Sequence, residues 1–252
     1  MKIPCYRELP LPFIKIQIYK LVVFFLGISS VSYSQDASSA DNIENAVSLY
    51  DLFTGSNAPV YNGKEYVFYA FRMKGDPYFA SAEFSKGWVC YEGKKYDSVS
   101  LLYDLTRNEL IILNADRRFA IVLHNESVDS FSLSNNKFIK LDKDEKKHLG
   151  YAGFYNVLYD GHVQLLALRK KVMSDLIENY VVFKLFTSQD RFFIFKNDTY
   201  YPVSNSKDIF RVLSDKRKPL KKMLRHNHVK IKKNDFENSI KKAVEFYDEI
   251  GQ

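Results

Sequence analysis

A chain of 252 residues, 46% hydrophobic and 15% aromatic, has ample material for a core, which excludes a disordered chain. Its 20 Phe and 18 Tyr against 10 Gly and 7 Pro favour strands, whose pleated surface accommodates flat rings. The formal net charge is +7 and unevenly spread: residues 207–252 hold 13 basic and 7 acidic side chains, so the tail is basic and the body near neutral.

Residues 1–34 read as a signal peptide. Lys2, Arg7, Lys15 and Lys20 precede the apolar run LVVFFLGISSV at residues 21–31, which is too short to span a bilayer. Ser32 and Ser34 then satisfy the small-residue cleavage rule, so the expected cut lies between Ser34 and Gln35. Cleavage would remove Cys5 and leave Cys90 as the one cysteine of the mature chain, read as a small core residue. Residues 35–58 form a polar lead-in and a short helix, with Ile43, Ala46, Val47, Tyr50 and Phe53 as its apolar stripe.

Residues 59–205 read as an antiparallel β body. Short apolar segments (GWVCY, SLLYDL, ELIIL, FAIVLH, VDSFSL, KFIKL) recur roughly every 8 to 12 residues between turn residues. Asn62-Gly63, Glu92-Gly93, Asp160-Gly161 and Asn197-Asp198 are expected to make two-residue hairpin turns with positive φ. Their irregular separation excludes a regular propeller or solenoid. Hairpins are expected over residues 153–171 and 191–203, and residues 141–150 as a charged, solvated loop. The segment MSDLIENYVVFKLF is ambiguous: a helical turn capped by Ser174 at its start, a strand over residues 180–186.

Residues 206–252 form the basic helical region, packed on the body. Pro219 suits only a first helical turn or a kink. Asn234 and Glu237 have capping-box spacing, and Phe236, Ile240, Ala243, Val244, Tyr247 and Ile250 make one apolar stripe. The fold class is therefore mainly β (α+β): an antiparallel meander or partly open barrel of about ten strands, with a short N-terminal helix and C-terminal helices.

The order of phrases YNG at Tyr61, GDPYF at Gly75, GWVCYEGKKYDSVSLLYDL at Gly87, VDSFSL at Val128, GFYNVLYDG at Gly153 and YYPV at Tyr200 resembles a family of exported β-rich proteins of Bacteroidetes bacteria without an assigned biochemical function. The resemblance implies export and a β-rich body, and transfers no catalytic residue.

The functional reading leans away from an enzyme. H-E-x-x-H, G-x-S-x-G, P-loop and Rossmann fingerprints are absent, and the five histidines are scattered. No catalytic, metal or cofactor residue is assigned and no cofactor is expected. Asp104 and Asp160 would serve a glycoside hydrolase only if folding paired them; their simpler roles are strand end and turn. His226 and His228 sit among cations, which disfavours a metal.

Two surfaces stand out. Lys216, Arg217, Lys218, Lys221, Lys222, Arg225, Lys230, Lys232 and Lys233 make nine positive charges without an acid, an anion or partner contact. Trp88, Tyr69, Tyr78 and Phe79 offer rings for stacking on a glycan. With a leader, the expected partner is an envelope component, an anionic membrane surface or a protein, with glycan as the alternative and no nucleic acid. The expected location is the periplasm or the outer membrane. Binding or scaffolding is the expected role, and a glycan-binding module or glycoside hydrolase-like enzyme the alternative. A bare solvated face, its lysine stems lying over apolar surface, accounts equally well for the basic run.

Overall fold

The computed structural model describes residues 58–250. The expected leader, its cleavage site and the short helix before residue 58 lie outside the described residues.

The body is mainly β. Its strands are β1 (Lys64–Glu65), β2 (Met73–Lys74), β3 (Ser85–Tyr91), β4 (Lys94–Asp104), β5 (Glu109–Leu113), β6 (Ala120–Val122), β7 (Val128–Leu133), β8 (Asn136–Leu141), β9 (Gly153–Asp160), β10 (Gln164–Leu168), β11 (Lys171–Glu178), β12 (Val181–Ser188), β13 (Arg191–Lys196) and β14 (Thr199–Val203). Helices α1 (Ser206–Val212), α2 (Arg217–His226) and α3 (Phe236–Glu249) follow. Eleven strands form one sheet in the order β1-β6-β5-β4-β3-β7-β8-β9-β10-β13-β14, each neighbour antiparallel. Pro202 lies on β14, at the sheet's edge, where its missing N–H costs no internal ladder bond.

The sheet is strongly curled. Tyr103 on β4 and Phe154 on β9 are separated by three intervening strands, about 19 Å in a flat sheet, yet their ring centroids are 5.9 Å apart. Phe131 and Phe138 stack between them at 4.7 Å and meet Tyr103 edge-on. All four rings are fully buried, so the concave side is a dry aromatic core. Register shifts in the β3–β4, β3–β7 and β9–β10 ladders add local twist and help the curl. Further along, Leu165 and Ile194 carry a second core, where Ile209, Leu220, Leu224, Ile240 and Val244 of the helices dock. The apolar stripe of α3 thus packs on the sheet as its spacing predicts.

Four expectations are corrected. Asn62-Gly63 follows a 3-10 turn and opens no hairpin; a Cβ at Gly63 would sit 2.3 Å from the Val122 carbonyl oxygen, so glycine serves close approach to β6. The β9–β10 connection runs through three residues, Gly161 to Val163. Ser174 lies inside β11, which pairs with β12 along its whole length, and β12 in turn pairs with β2 in a separate three-stranded sheet; the turn there is Asn179-Tyr180, both at positive φ. Glu237 closes no capping box: the N-cap of α3 is Asp235 without a side-chain cap bond, and the Glu237 carboxylate is drawn away to Arg169. By contrast, Glu92-Gly93 and Asn197-Asp198 are two-residue positive-φ turns as read, and Cys90 is fully buried on β3.

Candidate functional site

The nine basic residues are sorted by one packing constraint. Leu220 and Leu224 of α2 are buried four residues apart and anchor the helix to the core, helped by Val229 and Ile231 behind it. At about 100° per residue, Lys218, Lys222 and Arg225 then project on the opposite side, and all three are exposed. Among the described residues, none of these three has a carboxylate within ion-pairing distance. Arg217, Lys230 and Lys232 are also exposed. Lys216 and Lys221 turn inward: the Lys216 ammonium donates to the Tyr247 carbonyl at 3.3 Å, and the Lys221 ammonium lies 5.2 Å from the Phe210 ring centroid. Lys233 contributes its backbone to the short 3-10 turn before α3. Pro219 is the third residue of α2, within the first turn whose N–H groups have no helical acceptor.

The four candidate stacking rings have different neighbours. Tyr69 and Tyr78 gather around Asp104, which is fully buried at the end of β4. Its Oδ2 accepts from the Tyr66 and Tyr69 hydroxyls at 2.9 Å each, and its Oδ1 from the Thr106 and Arg107 amides. Tyr78 meets the Tyr66 hydroxyl at 3.3 Å, and the Arg107 guanidinium covers the Tyr69 ring at 4.0 Å. Burial, and then hydrogen bonding to Asp104, pushes the Tyr69 hydroxyl up; burial followed by contact with Tyr78 and Asp104 does the same to Tyr66. Such tyrosines stay protonated donors, so this cluster ties strand to loop and is poorly suited to proton abstraction. Phe79 packs edge-on against the buried Phe138 at 4.9 Å. Trp88, half-buried on β3, has the Lys95 ammonium 5.5 Å from its ring.

The two carboxylates considered for sugar hydrolysis have separate surroundings. Asp104 is committed to the tyrosine cluster, whereas Asp160 is exposed and accepts from Gln164. Among the described residues no group of three His, Cys, Asp or Glu is placed to hold a metal ion.

Sequence reasoning missed Arg169. Its guanidinium forks onto both Glu237 oxygens at 2.6 and 2.7 Å, reaches Asp190 at 2.7 Å and donates twice to the Asn156 carbonyl oxygen. Burial works against this cation, but the two carboxylates outweigh it and raise its pKa. The partners span residues 156 to 237, so no local pattern announces them. Beside this network lies a hollow of about 270 Å³, and sharing Tyr151, Gln189 and Arg191 with it a larger groove of about 950 Å³ bordered by Phe192, Arg211 and Phe236. Arg191 stands 4.3 Å over the half-exposed Tyr151 ring.

The chain has no significant match among protein-family models, curated proteins or solved structures.

Proposed function

We propose that this chain is an exported, non-catalytic binding protein of the cell envelope that seats the outward face of α2 on an anionic membrane surface. The observation that carries the reading is the stripe of Lys218, Lys222 and Arg225, exposed without a described carboxylate partner and held outward by Leu220 and Leu224. Each cation near such a surface contributes about 1 kcal/mol. The stripe with Arg217, Lys230 and Lys232 beside it is enough for reversible, salt-sensitive association. No described helix is long and apolar enough to cross a membrane, so the contact proposed is peripheral.

The test is co-sedimentation with phosphatidylcholine vesicles with and without phosphatidylglycerol. Binding should require the anionic lipid, fall with added salt and weaken by about 100-fold in the Lys218→Gln, Lys222→Gln, Arg225→Gln triple variant, which removes about 3 kcal/mol. Equal binding by that variant would sink the assignment.

One observation favours a second reading, glycan binding: the Tyr151 ring is exposed at a groove large enough for a small ligand. Retention on insoluble polysaccharide, lost in Tyr151→Ala and kept in Trp88→Ala, would move the assignment to this groove.

A further inference from the structure

The Asp160-Gly161 stretch does more than turn the β9–β10 hairpin. The three-residue β9–β10 loop wraps a buried carboxylate, Asp248 of α3, which is 4% exposed. Its Oδ2 accepts from the His162 amide at 2.8 Å and the Tyr159 hydroxyl at 3.2 Å. A Cβ at position 161 would stand 2.2 Å from that oxygen, so only glycine lets loop and carboxylate meet this closely. The other oxygen, Oδ1, is buried and has no described donor. A carboxylate oxygen withdrawn from water without a donor is costly.

Asp248 also lines a hollow of about 280 Å³ together with His162, Lys196, Lys216 and Tyr247. The two ammonium groups lie 4.9 and 4.4 Å from the Tyr247 ring centroid. Their commitments differ. Lys196 is bound to Asp215 at 2.6 Å and to the Val212 carbonyl, and the Tyr247 hydroxyl closes this arrangement by donating to Asp215 at 2.7 Å. Lys216 has the Tyr247 carbonyl as its one described acceptor, which leaves N–H capacity on a three-donor group. Lys196 and Asp215 thus neutralise each other. Lining the hollow are then Asp248, whose Oδ1 is buried without a described donor, and Lys216, a cation with spare donors, and these two are not within ion-pairing distance of each other.

We propose that this hollow binds a small zwitterion of the α-amino acid class, its ammonium donating to Asp248 and its carboxylate accepting from Lys216. A simple anion would satisfy Lys216 and be repelled by Asp248; a simple cation would meet the reverse. A molecule carrying both charges on neighbouring carbons answers both, and the net-neutral hollow does not resist it. This site is independent of the α2 stripe, since Lys216 turns inward and Lys218, Lys222 and Arg225 do not line it.

The experiment is ligand-observed NMR on the full chain, with each standard α-amino acid at millimolar concentration and acetate and methylammonium as half-ligands. At least one amino acid should bind, and at least ten-fold more tightly than either half-ligand. Asp248→Asn keeps an acceptor for the His162 amide and can replace the lone acceptor by a donor, so it should lose at least ten-fold in affinity; Lys216→Met should do the same. Circular dichroism would confirm that both variants fold, and the α2 triple variant should bind the amino acid as the parent does. Absence of binding by every amino acid, binding of half-ligands as tight as the whole, or folded Asp248→Asn and Lys216→Met variants that bind unchanged would each overturn the proposal.

Discussion

Replacing Arg169 by Met tests whether the helical layer is latched to the sheet. The guanidinium makes five hydrogen bonds to Asn156 on β9, Asp190 in the β12–β13 turn and Glu237 on α3. Methionine fills much of the stem's volume, so the loss is mainly polar. Asn156 is fully buried, and its carbonyl oxygen would be left without the donors it now has, a cost of about 1–3 kcal/mol. The Asp190 and Glu237 side chains are 24% and 39% exposed and can be rehydrated, which keeps the total near the lower end of the 3–5 kcal/mol typical of broken buried pairs, about 3 kcal/mol. For a chain of this size that corresponds to a fall in Tm of about 6–12 °C. Urea unfolding of Arg169→Met, Glu237→Gln and the double variant would measure it, with a coupling of at least about 1 kcal/mol between the two positions. A loss below about 1 kcal/mol for Arg169→Met, or additive single effects, would refute the latch.

Three further outcomes are expected. Tyr180 sits at φ 61° in the β11–β12 turn with its side chain fully exposed; Tyr180→Gly should raise stability by about 0.5 kcal/mol in urea melts, since glycine removes the left-handed strain at the position where this turn favours it. Leu224→Ala, at a residue 4% exposed, should cost about 2–5 kcal/mol and weaken vesicle binding by loosening the helix that presents the basic stripe. Burial raises the pKa of Tyr66, Tyr69, Tyr78 and Tyr103, and lifts Tyr155 to about 12. An unfolded tyrosine ionises near pH 10, so the stabilisation is complete below about that pH and is lost as pH rises from there through the folded values. The urea midpoint should therefore fall above about pH 10, with part of the phenolate absorbance appearing only on unfolding; a midpoint that stays flat to about pH 11.5 would contradict this.

The sequence disclosed what is local. Alternation, turn pairs such as Asn197-Asp198 and the apolar stripe of α3 each act within a few residues, so they could be read directly. The turns at Ser134-Asn135 and Asn179-Tyr180 escaped because each sets one Asn beside a residue not enriched at positive φ, although all four residues adopt it. The ambiguous segment became a hairpin because Lys171 to Glu178 finds a full-length partner in β12, a tertiary gain that outweighs a helical turn of a few residues. Glu237 misled for the same reason. Its spacing suits a capping box, but a buried guanidinium almost 70 residues away offers a charge-assisted, two-pronged bond that a single backbone amide cannot match. Candidate sites suffered most: the nine cations fall in one acid-free run, residues 216–233, yet the positions of Leu220 and Leu224 decide which of those on α2 face outward.

The curl of the sheet explains why the candidate binding surfaces gather around loops and helices. Tyr103, Phe131, Phe138 and Phe154 fill the concave side at its centre, and the helices fill it further along. Hollows lie instead where non-strand segments meet the sheet, among them those beside Arg169, under Tyr151 and over Asp248. The same non-strand segments are pinned by charged contacts, with α3 held at Arg169 and the approach to α2 held through Asp215 and Lys196. A cationic stripe carried on a helix so fastened loses little conformational entropy on meeting a surface. Loosening the fastening should therefore weaken vesicle binding even where no cation is removed, and Asp215→Asn is the sharpest probe: it adds no negative charge, lies off the stripe, and would reduce membrane affinity only if presentation of α2 matters.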